Sequence, residues 1–421
     1  MKERLYKLLR YWRDNGTKAL IHRINLALKY KDPFRAAHQD AIDTRSPLNV
    51  FTIKSAQPPR VSIITDSVNR GSLYGGVGTA LIMAAILTEA RSGRLRIVTR
   101  AVPVHPGYLA QFLKTYGIKF SHEIEFVFAP VHGGSYELDT FSDELFITTS
   151  WWTTASAMAS VPHDSIVYLL QEDERMFYPH GDDHLRCAQV LQSKSIHFVI
   201  NTRLLFEHFI ADGLCNIRER GIWFEPAFPR DVFLPHVGGN SGKRKLMFYA
   251  RPNNPRNLFY FGAELIESAV TRGIIDLARW DIVLVGKDIP KMTFAGDYTP
   301  IMYANLSWTE YARMLGEIDL GLCLMYTPHP SYPPLDLAAS GAVVVTNRFG
   351  IKQDLSNYSK NIICANLDTE SMLAALTEGI RLAGNVVERA ENCRTNKLGL
   401  DWPLAFSEVI QHFGKCSNAV S

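Results

Sequence analysis

The feature that most restricts the fold is a repeated alternation between short, almost continuously apolar segments and segments with helical periodicity. Strands that are apolar on both faces belong in parallel sheets covered by helices on both sides. The sequence therefore predicts an α/β fold built from doubly wound parallel sheets. The predicted strands are Val61–Thr65, Leu95–Thr99, Ile124–Ala129, Leu145–Thr149, Ile166–Leu170, Phe198–Asn201, Leu246–Ala250, Ile282–Val285, Ile301–Ala304, Leu320–Leu324, Val343–Thr346 and Ile362–Cys364.

The alternation occurs as two series, separated by a polar segment at 228–243 that is rich in Gly and Pro. With 421 residues and 47% hydrophobic content, the chain has enough apolar material for two cores. We therefore predict an N-terminal domain at 59–240, a C-terminal domain at 241–395, and a helical tail at 396–421 that packs back on the first domain. Two facing sheets of this kind leave a cleft at the carboxyl ends of their strands, where ligands of open α/β sheets bind.

Residues 1–58 are predicted to form a basic, amphipathic helical extension in which leucines and Trp12 recur at helical spacing among Lys and Arg. Residues 1–31 could contact an anionic membrane peripherally, at the inner face, or could pack on the protein or mediate a homodimer. The chain lacks a long apolar run and a signal-peptide pattern, so a cytoplasmic location is predicted. A formal net charge of +3 is too small to indicate a nucleic-acid partner.

A glycine-rich turn follows the first predicted strand and carries Gly75, Gly76 and Gly78. Glycines at such a turn let the backbone approach a ligand, and the next helix begins beside it. We predict that these three residues contact the acceptor, although a tight turn without a ligand has the same composition. The spacing does not fit the dinucleotide fingerprint, which disfavours a nicotinamide dehydrogenase.

Three acidic residues, Glu172, Asp173 and Glu174, come directly after the predicted strand Ile166–Leu170. Carboxylates at that end of a strand face the cleft, where one could orient an acceptor hydroxyl or act as a base. Glu172 and Glu174 are therefore predicted catalytic residues. Two alternatives stay open: a pair of ligands for Mg²⁺ or Mn²⁺, and a solvated acidic turn paired with Arg175.

Two arginines, Arg251 and Arg256, lie five residues apart on the loop that leaves the first strand of the second series, with Asn253 between them. Guanidinium groups bind phosphate strongly and can stabilise the charge that develops on a departing diphosphate. All three are predicted to bind the donor, and Arg251 is also a predicted catalytic residue. The alternative is a pair of ordinary surface arginines.

A stiff proline-rich loop opens a helix of small residues later in the second series and carries Ser331, Tyr332 and Asp336. The free N–H groups and partial positive charge of a helix N-terminus favour a diphosphate. Ser331 and Tyr332 are predicted to contact phosphate or sugar, and Asp336 to hold ribose or donor hydroxyls. Asn305 and Leu306, just after another strand, are placed to meet the base. An ordinary helix cap is the alternative.

The order of these segments, over roughly residues 59–413, resembles the GT-B glycosyltransferases of family 4, and most closely the WsaF-type rhamnosyltransferases of bacterial cell-surface glycan assembly. The motifs that carry the resemblance are Gly75-Gly76-Val77-Gly78, Gln171-Glu172-Asp173-Glu174 with Phe177-Tyr178-Pro179, the pair Arg251 and Arg256, and Pro330-Ser331-Tyr332-Pro333-Pro334-Leu335-Asp336.

This resemblance implies two facing Rossmann-like domains and transfer of a sugar, plausibly L-rhamnose, from a dTDP-sugar to a saccharide with retention at the anomeric carbon. It implies a nucleotide-sugar co-substrate, no further cofactor and no metal. Three positions depart from the family pattern: Asp336 replaces a glutamate, Pro328 replaces another, and Arg256 replaces a lysine. A non-catalytic saccharide-binding or assembly subunit that kept the fold is the alternative from another class.

Overall fold

The computed structural model describes most of the chain outside the N-terminal extension. The described residues are 45–54, 58–69, 73, 75–104, 106–131, 136–233, 242–304, 306–415 and the isolated residues Trp12, Thr17, Leu20, Ile21 and Ile24.

Within the predicted membrane-contact segment 1–31, the described residues are helical. Trp12, Ile21 and Ile24 expose 46%, 51% and 40% of their surface. In the part of the chain that the structure describes, no helix combines the length and apolar character needed to cross a membrane. Contact of this segment with a membrane or a second copy stays a prediction.

The first half of the chain forms a seven-stranded, wholly parallel sheet and a separate two-stranded ribbon. The strands are β1 (Val50–Thr52), β2 (Arg60–Thr65), β3 (Arg94–Thr99), β4 (Ile124–Phe128), β5 (Leu138–Thr140), β6 (Leu145–Thr148), β7 (Ile166–Leu170), β8 (His197–Asn201) and β9 (Gly221–Phe224). The large sheet has the order β4-β3-β2-β6-β7-β8-β9, and β1 pairs with β5. Every residue of β2, β6 and β7 is buried, because helices cover both faces. The helices are α1 (Gly76–Ala90), α2 (Leu109–Thr115), α3 (Trp151–Met158), α4 (Asp182–Leu191), α5 (Arg203–Ala211) and α6 (Cys215–Arg220).

The second half forms a six-stranded parallel sheet. Its strands are β10 (Arg244–Ala250), β11 (Trp280–Gly286), β12 (Ile301–Ala304), β13 (Leu320–Cys323), β14 (Val343–Asn347) and β15 (Ile362–Ala365), in the order β12-β11-β10-β13-β14-β15. The order reverses beside β10, which is the position where an open α/β sheet forms a crevice at its carboxyl edge. The helices are α7 (Phe259–Thr271), α8 (Trp308–Leu315), α9 (Tyr332–Ala339), α10 (Thr369–Gly384), α11 (Val386–Arg394), α12 (Trp402–Ala405) and α13 (Ser407–Phe413).

The C-terminal helices α12 and α13 return to the first half of the chain. Trp402, Phe406, Val409 and Phe413 belong to the same buried core as α1, and Gly399 O accepts a hydrogen bond from the Phe228 amide at 2.6 Å. The chain therefore crosses between the two halves twice.

An ion cluster in the N-terminal half has Arg60, Arg96 and Glu144 buried at its centre and the more exposed Glu125 and Asp139 around them. We call these five residues the structural ion cluster. The Glu144 carboxylate pairs with Arg60 Nη2 at 2.9 Å and with Arg96 Nη2 at 2.6 Å. Asp139 pairs with Arg60 at 3.1 Å and Arg96 at 3.2 Å, and Glu125 pairs with Arg60 at 3.2 Å. The two arginines on adjacent strands are thus matched by carboxylates at short distances.

The predicted α/β fold is confirmed, and all twelve predicted strands are present with ends within two residues of their predicted positions. The prediction omitted β1, β5 and β9, which have only three or four residues and are too short for a pattern of burial. The predicted linker 228–243 includes residues 234–241, which lie outside the described residues. The domain boundaries stay predictions.

Candidate functional site

The carboxyl ends of the two sheets face each other and are joined by side-chain contacts. The Tyr332 hydroxyl, at the start of α9, lies 2.6 Å from Thr79 Oγ1 and accepts a hydrogen bond from Asn201 Nδ2 at 3.0 Å. Arg256 Nη1, beyond β10, lies 3.7 Å from a Glu172 oxygen beyond β7. Residues predicted from separate motifs therefore meet at one place, between the two halves.

The three glycines of the turn after β2 have different surroundings. Gly75 has a φ of 65°, which favours glycine. A Cβ on Gly76 would lie 3.1 Å from Gln171 Nε2, and that amide donates to Gly76 O at 2.6 Å. A Cβ on Gly78 would lie 2.3 Å from Leu73 O, so this glycine permits backbone packing. Gly75 and Gly76 lie at the sheet edge, whereas Gly78 is buried beneath it.

Asp173 and Glu174, the second and third residues of the acidic turn, are engaged inside the N-terminal half. Although burial raises the pKa of Asp173, hydrogen bonds from His208 and Arg175 lower it to about 2. Glu174 accepts a hydrogen bond from the Trp151 amide at 2.9 Å, at the N-terminus of α3, and burial raises its pKa to about 8. The structure thus gives Glu174, a predicted catalytic residue, a helix-capping contact.

Glu172, the first residue of the turn, faces the other half of the chain. Its two oxygens lie 3.7 Å from Arg256 Nη1 and 3.9 Å from His329 Nδ1. Burial raises the pKa of Glu172 to about 7, against the opposing effects of Arg256, a Thr327 hydrogen bond and Lys352. A carboxyl group with a pKa near neutrality changes its charge readily at the pH of a cell.

Arg256 lies under an aromatic ring from the N-terminal half. Its guanidinium carbon is 4.0 Å from the centroid of the Phe177 ring, a cation–π distance. The side chain is 19% exposed, and burial lowers its pKa. Among the described residues, Arg256 Nη1 has no hydrogen-bond partner although it is buried. A buried guanidinium nitrogen that lacks an acceptor favours an anionic ligand.

Arg251 and Asn253 lie on the same loop as Arg256 but make other contacts. Arg251 Nη1 donates to the Tyr249 hydroxyl at 3.4 Å, and Arg251 is half-buried. Asn253 is exposed and donates to Asp288 at 2.8 Å. Arg251 is thus available to a ligand in the cleft, while Asn253 lies at the rim.

His329 has a fixed tautomer in the loop between β13 and α9. Its Nδ1 accepts a hydrogen bond from the Ser331 amide at 2.9 Å, so the ring proton lies on Nε2. Burial, with the nearby cations Lys352 and Arg256, lowers the pKa of His329 to about 3. The neutral ring presents an Nε2–H that is buried and has no acceptor among the described residues. Ser331 adopts a φ of 71°, uncommon for a non-glycine residue.

Lys352 is fully buried behind the same loop. Its Nζ donates to Met325 O at 3.0 Å, and Asn347 Nδ2 donates to the same oxygen at 3.0 Å. Burial lowers the pKa of Lys352 to about 8, partly offset by the charge of Glu172. The lysine therefore fixes the loop and adds a positive charge behind the cleft.

Asp336 is buried in α9 and accepts a hydrogen bond from the Tyr311 hydroxyl at 3.2 Å. Burial raises its pKa to about 8. Leu306 is half-buried and packs against the buried cluster of the C-terminal half that includes Tyr311 and Leu335. Asn305, the other residue predicted at the base, lies outside the described residues.

We name Glu172, Arg256, His329 and Lys352 the cleft charge cluster. The sequence predictions included Glu172 and Arg256 but missed His329 and Lys352. His329 could have been found from its place in a loop that leaves a strand, beside the proline-rich segment. Lys352 has no comparable signal, because only the packing of the loop buries it. Among the residues that the structure describes, no group of three or more His, Cys, Asp or Glu side chains is arranged to hold a metal ion.

Comparison with known families gives a consistent match over both halves of the chain. Residues 60–203 match the family model described as "WsaF, N-terminal domain", and residues 244–377 match "WsaF, C-terminal domain". Each matched range contains one of the two large sheets, except for the short edge strand β9. A curated relative is the O-antigen biosynthesis protein RfbC of Myxococcus xanthus, which is 30% identical over 263 residues. That match covers 58% of this chain and 19% of the relative, so the chain spans about a fifth of the length of RfbC.

Solved structures with the same architecture cover nearly the whole described chain. Anabaena HepE (Alr3699), in complex with UDP and glucose, has a TM-score of 0.58 at 11% identity and covers 83% of this chain and 98% of its own. Sucrose-phosphate synthase of Thermosynechococcus elongatus has a TM-score of 0.55 at 9% identity and covers 84% and 98%. At these identities the similarity establishes the fold. The chain therefore belongs to the WsaF family and has the GT-B fold of glycosyltransferases, with two facing Rossmann-like halves.

Proposed function

We propose that the protein is a glycosyltransferase that moves a sugar from a nucleotide-activated donor to a saccharide acceptor during assembly of a cell-surface glycan. The similarity to RfbC, an O-antigen biosynthesis protein, supports the biological context. The complex of HepE with UDP and glucose supports a nucleotide sugar as the donor. The finer form of the proposal is transfer of L-rhamnose from dTDP-rhamnose with retention, in the cytoplasm.

The observation that carries this proposal is the set of unmatched donors around Arg256. Arg256 Nη1 and His329 Nε2 are buried without acceptors in the described part of the chain, and both lie at the carboxyl edge of the C-terminal sheet. A diphosphate supplies several acceptor oxygens and negative charge, so it would satisfy both groups. Arg251, on the same loop, would add a second guanidinium.

This arrangement suits the chemistry of sugar transfer. The bond between the anomeric carbon and the phosphate oxygen breaks, and the electron pair leaves with the nucleoside diphosphate. The acceptor oxygen bonds to that carbon, and its proton passes to an oxygen of the departing diphosphate. Arg251, Arg256 and Lys352 would stabilise the charge that develops on the diphosphate, and the neutral His329 would donate a hydrogen bond without competing for that proton. Ser331 and Asp336 would contact phosphate, sugar or ribose.

Binding of nucleoside diphosphates tests the donor site directly. We expect one of dTDP, UDP and GDP to raise the melting temperature of the full chain, since a ligand at 100 times its dissociation constant adds about 2.7 kcal/mol to the free energy of unfolding. Arg256→Ala should remove most of this shift. The matched control is Arg272→Ala, at an exposed arginine directly after α7 that pairs with Glu370, and this variant should keep the shift. An absence of any shift with all three nucleotides would contradict the proposal.

Measurements of the transfer rate test the catalytic role of Arg251. We expect Arg251→Ala to lower the rate of sugar transfer by at least about tenfold, the scale of a lost electrostatic contact in a transition state. Equal rates in Arg251→Ala and the unmodified protein would remove Arg251 from the mechanism. Transfer that stops in EDTA and returns with Mg²⁺ or Mn²⁺ would favour the alternative in which Glu172 and Glu174 hold a metal.

We further propose that residues 1–31 contact anionic membranes peripherally, which would bring the enzyme to lipid-linked saccharides. The composition of the segment and the exposed Trp12 and Ile21 support this. Co-sedimentation with vesicles containing anionic lipid, compared with neutral vesicles, tests it. Light scattering of the full chain tests the alternative, a homodimer.

A further inference from the structure

The N-terminal sheet edge carries a polar and aromatic pair that no motif predicted. Asp66 comes directly after β2, and Trp152 lies in the first turn of α3, directly after β6. Trp152 Nε1 lies 3.1 and 3.0 Å from the two oxygens of Asp66. Both residues are half-buried, so each keeps some exposed surface.

The Asp66 carboxylate differs from the paired carboxylates elsewhere in the molecule, because a neutral indole N–H binds it. Arg100, the cation whose charge acts on Asp66, directs its hydrogen bonds elsewhere, to Ala129 O at 3.1 Å and to the Tyr136 hydroxyl at 2.7 Å. An ionised carboxylate has about four acceptor positions, and one N–H uses only part of that capacity. Asp66 therefore retains acceptor capacity for neutral hydroxyl groups.

The ring of Trp152 is held in place by its aromatic neighbours. Trp151 packs against it edge-to-face with ring centroids 6.0 Å apart, and Trp151 Nε1 donates to the Tyr178 hydroxyl at 2.9 Å. A rigid, half-buried indole next to a carboxylate offers an apolar face and a hydrogen-bond acceptor side by side. A pyranose presents the same combination, with C–H groups on one face and hydroxyls at its rim.

The pair lies at a suitable distance from the donor site. Strands β2, β6 and β7 are neighbours in the sheet, and Asp66, Trp152 and Glu172 follow these three strands in turn. Strands are spaced by about 4.8 Å, so about 10 Å separates the ends of β2 and β7. This is close to the length needed for one sugar ring between Asp66 and the cleft charge cluster.

We propose that Asp66 and Trp152 form the acceptor subsite, in which a neutral pyranose stacks on the Trp152 ring and donates a hydroxyl hydrogen bond to Asp66. The inference rests on the proposed glycosyltransferase function, and it names the residues that would hold the acceptor. Trp152 has a second role as a positioning residue, because its N–H orients the carboxylate. The subsite lies on the opposite half of the chain from Arg251, Arg256 and His329.

Binding of simple glycosides to the full chain, with a nucleoside diphosphate present, tests the proposed acceptor subsite. The probes are methyl α-L-rhamnopyranoside, methyl α-D-glucopyranoside and methyl α-D-galactopyranoside. The chain has seven tryptophans, so its indole N–H signals form a short spectrum in which Trp152→Phe identifies the Trp152 signal. We expect at least one glycoside to shift that signal, because hydroxyl binding to Asp66 changes the hydrogen bond that the indole donates.

Variants separate binding from folding. Asp66→Asn should weaken glycoside binding by about tenfold or more, the scale of a lost hydrogen bond to a charged group. Trp152→Phe keeps a ring and should lose less affinity than Trp152→Ala. Asp164→Asn, at an exposed carboxylate that pairs with Arg220, is the control and should bind like the unmodified chain. Unchanged positions of the other indole signals show that each variant is folded.

Two outcomes overturn the inference: a Trp152 signal that no glycoside moves, and equal glycoside affinity in Asp66→Asn and the unmodified chain. The melting-temperature shift with nucleoside diphosphates should be the same in Asp66→Asn and the unmodified chain. If nucleotides fail to bind while a glycoside still moves the Trp152 signal, the saccharide subsite is supported and the proposed transferase function is contradicted. If nucleotides bind and no glycoside moves the signal, only the subsite is lost.

Discussion

The structural ion cluster and the cleft charge cluster are built from similar residues with different geometry. In the structural ion cluster, Glu144 contacts Arg60 at 2.9 Å and Arg96 at 2.6 Å. In the cleft charge cluster, Glu172 contacts Arg256 at 3.7 Å, and a buried nitrogen of that arginine has no acceptor in the described part of the chain. In the first cluster the charged groups pair at hydrogen-bond distances, although Arg60 Nε has no partner among the described residues, whereas in the second Glu172 and Arg256 are 3.7 Å apart.

The difference distinguishes a cluster that stabilises the fold from one that keeps hydrogen-bond donors for a ligand. A buried polar network stabilises a fold only when its members are satisfied, and a partly satisfied one costs free energy. A site that must bind an anion keeps its donors unmatched until the ligand arrives, at a cost to the free protein. From this comparison we propose that the cleft charge cluster binds a ligand and that the structural ion cluster stabilises the N-terminal sheet.

The largest effect is expected from Glu144→Gln. Glu144 is the fully buried carboxylate that Arg60 and Arg96 share, and removing its charge leaves them with the more exposed Asp139, which costs about 3–5 kcal/mol. Urea unfolding at pH 7.5 should show this as a decrease in the free energy of unfolding. A change below 1 kcal/mol, on the order of a surface pair, would mean that the short distances do not make this cluster structural.

The same substitution in the other cluster, Glu172→Gln, is expected to change stability in the opposite direction. Burial raises the pKa of Glu172 to about 7 from its usual value of 4.5, so the ionised form is the costly one in the folded protein. The penalty is absent below pH 4.5 and complete above pH 7. Glu172→Gln should therefore stabilise the protein by up to about 3 kcal/mol at pH 8, with most of the gain lost at pH 5.

Unfolding in urea at both pH values measures this difference. A loss of stability in Glu172→Gln at pH 8 would show that Arg256 and Lys352 depend on the carboxylate as strongly as Arg60 and Arg96 depend on Glu144, and the distinction between the clusters would fail.

Lys352→Met tests the same comparison through binding. We expect a loss of affinity for the nucleoside diphosphate of about tenfold, equivalent to about 1.4 kcal/mol, because a positive charge behind the phosphate site is removed. Burial lowers the pKa of Lys352 to about 8, so the unmodified protein should bind the nucleotide less tightly as the pH rises from 7 to 9. Titration calorimetry across that range should show a weaker pH dependence in Lys352→Met. The matched substitution Arg96→Met should instead lower the free energy of unfolding, because Arg96 belongs to the structural ion cluster.

Much of the fold was predictable from sequence because its signal is local. Fully buried strands such as β7 are runs of Ile, Val, Tyr and Leu, and glycine turns and charged loops mark their carboxyl ends. Since parallel strands end at one edge, separate motifs could be assigned to one cleft before any contact was known.

The roles of individual side chains at that edge were not predictable in the same way. Glu172, Asp173 and Glu174 are adjacent in sequence, yet one faces Arg256, one binds Arg175 and one caps α3. The direction of each side chain depends on the turn that follows β7, which no residue pattern specifies. Burial of Lys352 arises from packing between distant segments and has no local signal. The tautomer of His329 is set by the Ser331 amide two residues along the chain, through a loop conformation that the sequence pattern does not specify.

The smallest expected effect concerns the contact that joins the two halves, and Tyr332→Phe measures it. The variant keeps the ring and removes the hydroxyl that lies 2.6 Å from Thr79 Oγ1 and 3.0 Å from Asn201 Nδ2. We expect a loss of about 1 kcal/mol in the free energy of unfolding, with nucleotide binding unchanged, because the hydroxyl is already engaged between the halves. Thr79→Val combined with Tyr332→Phe should lose less than the sum of the two single variants, since both remove one hydrogen bond. If nucleotide affinity falls instead and stability does not, the hydroxyl contacts the donor, as predicted from its place in the proline-rich loop, and the halves must open to allow it.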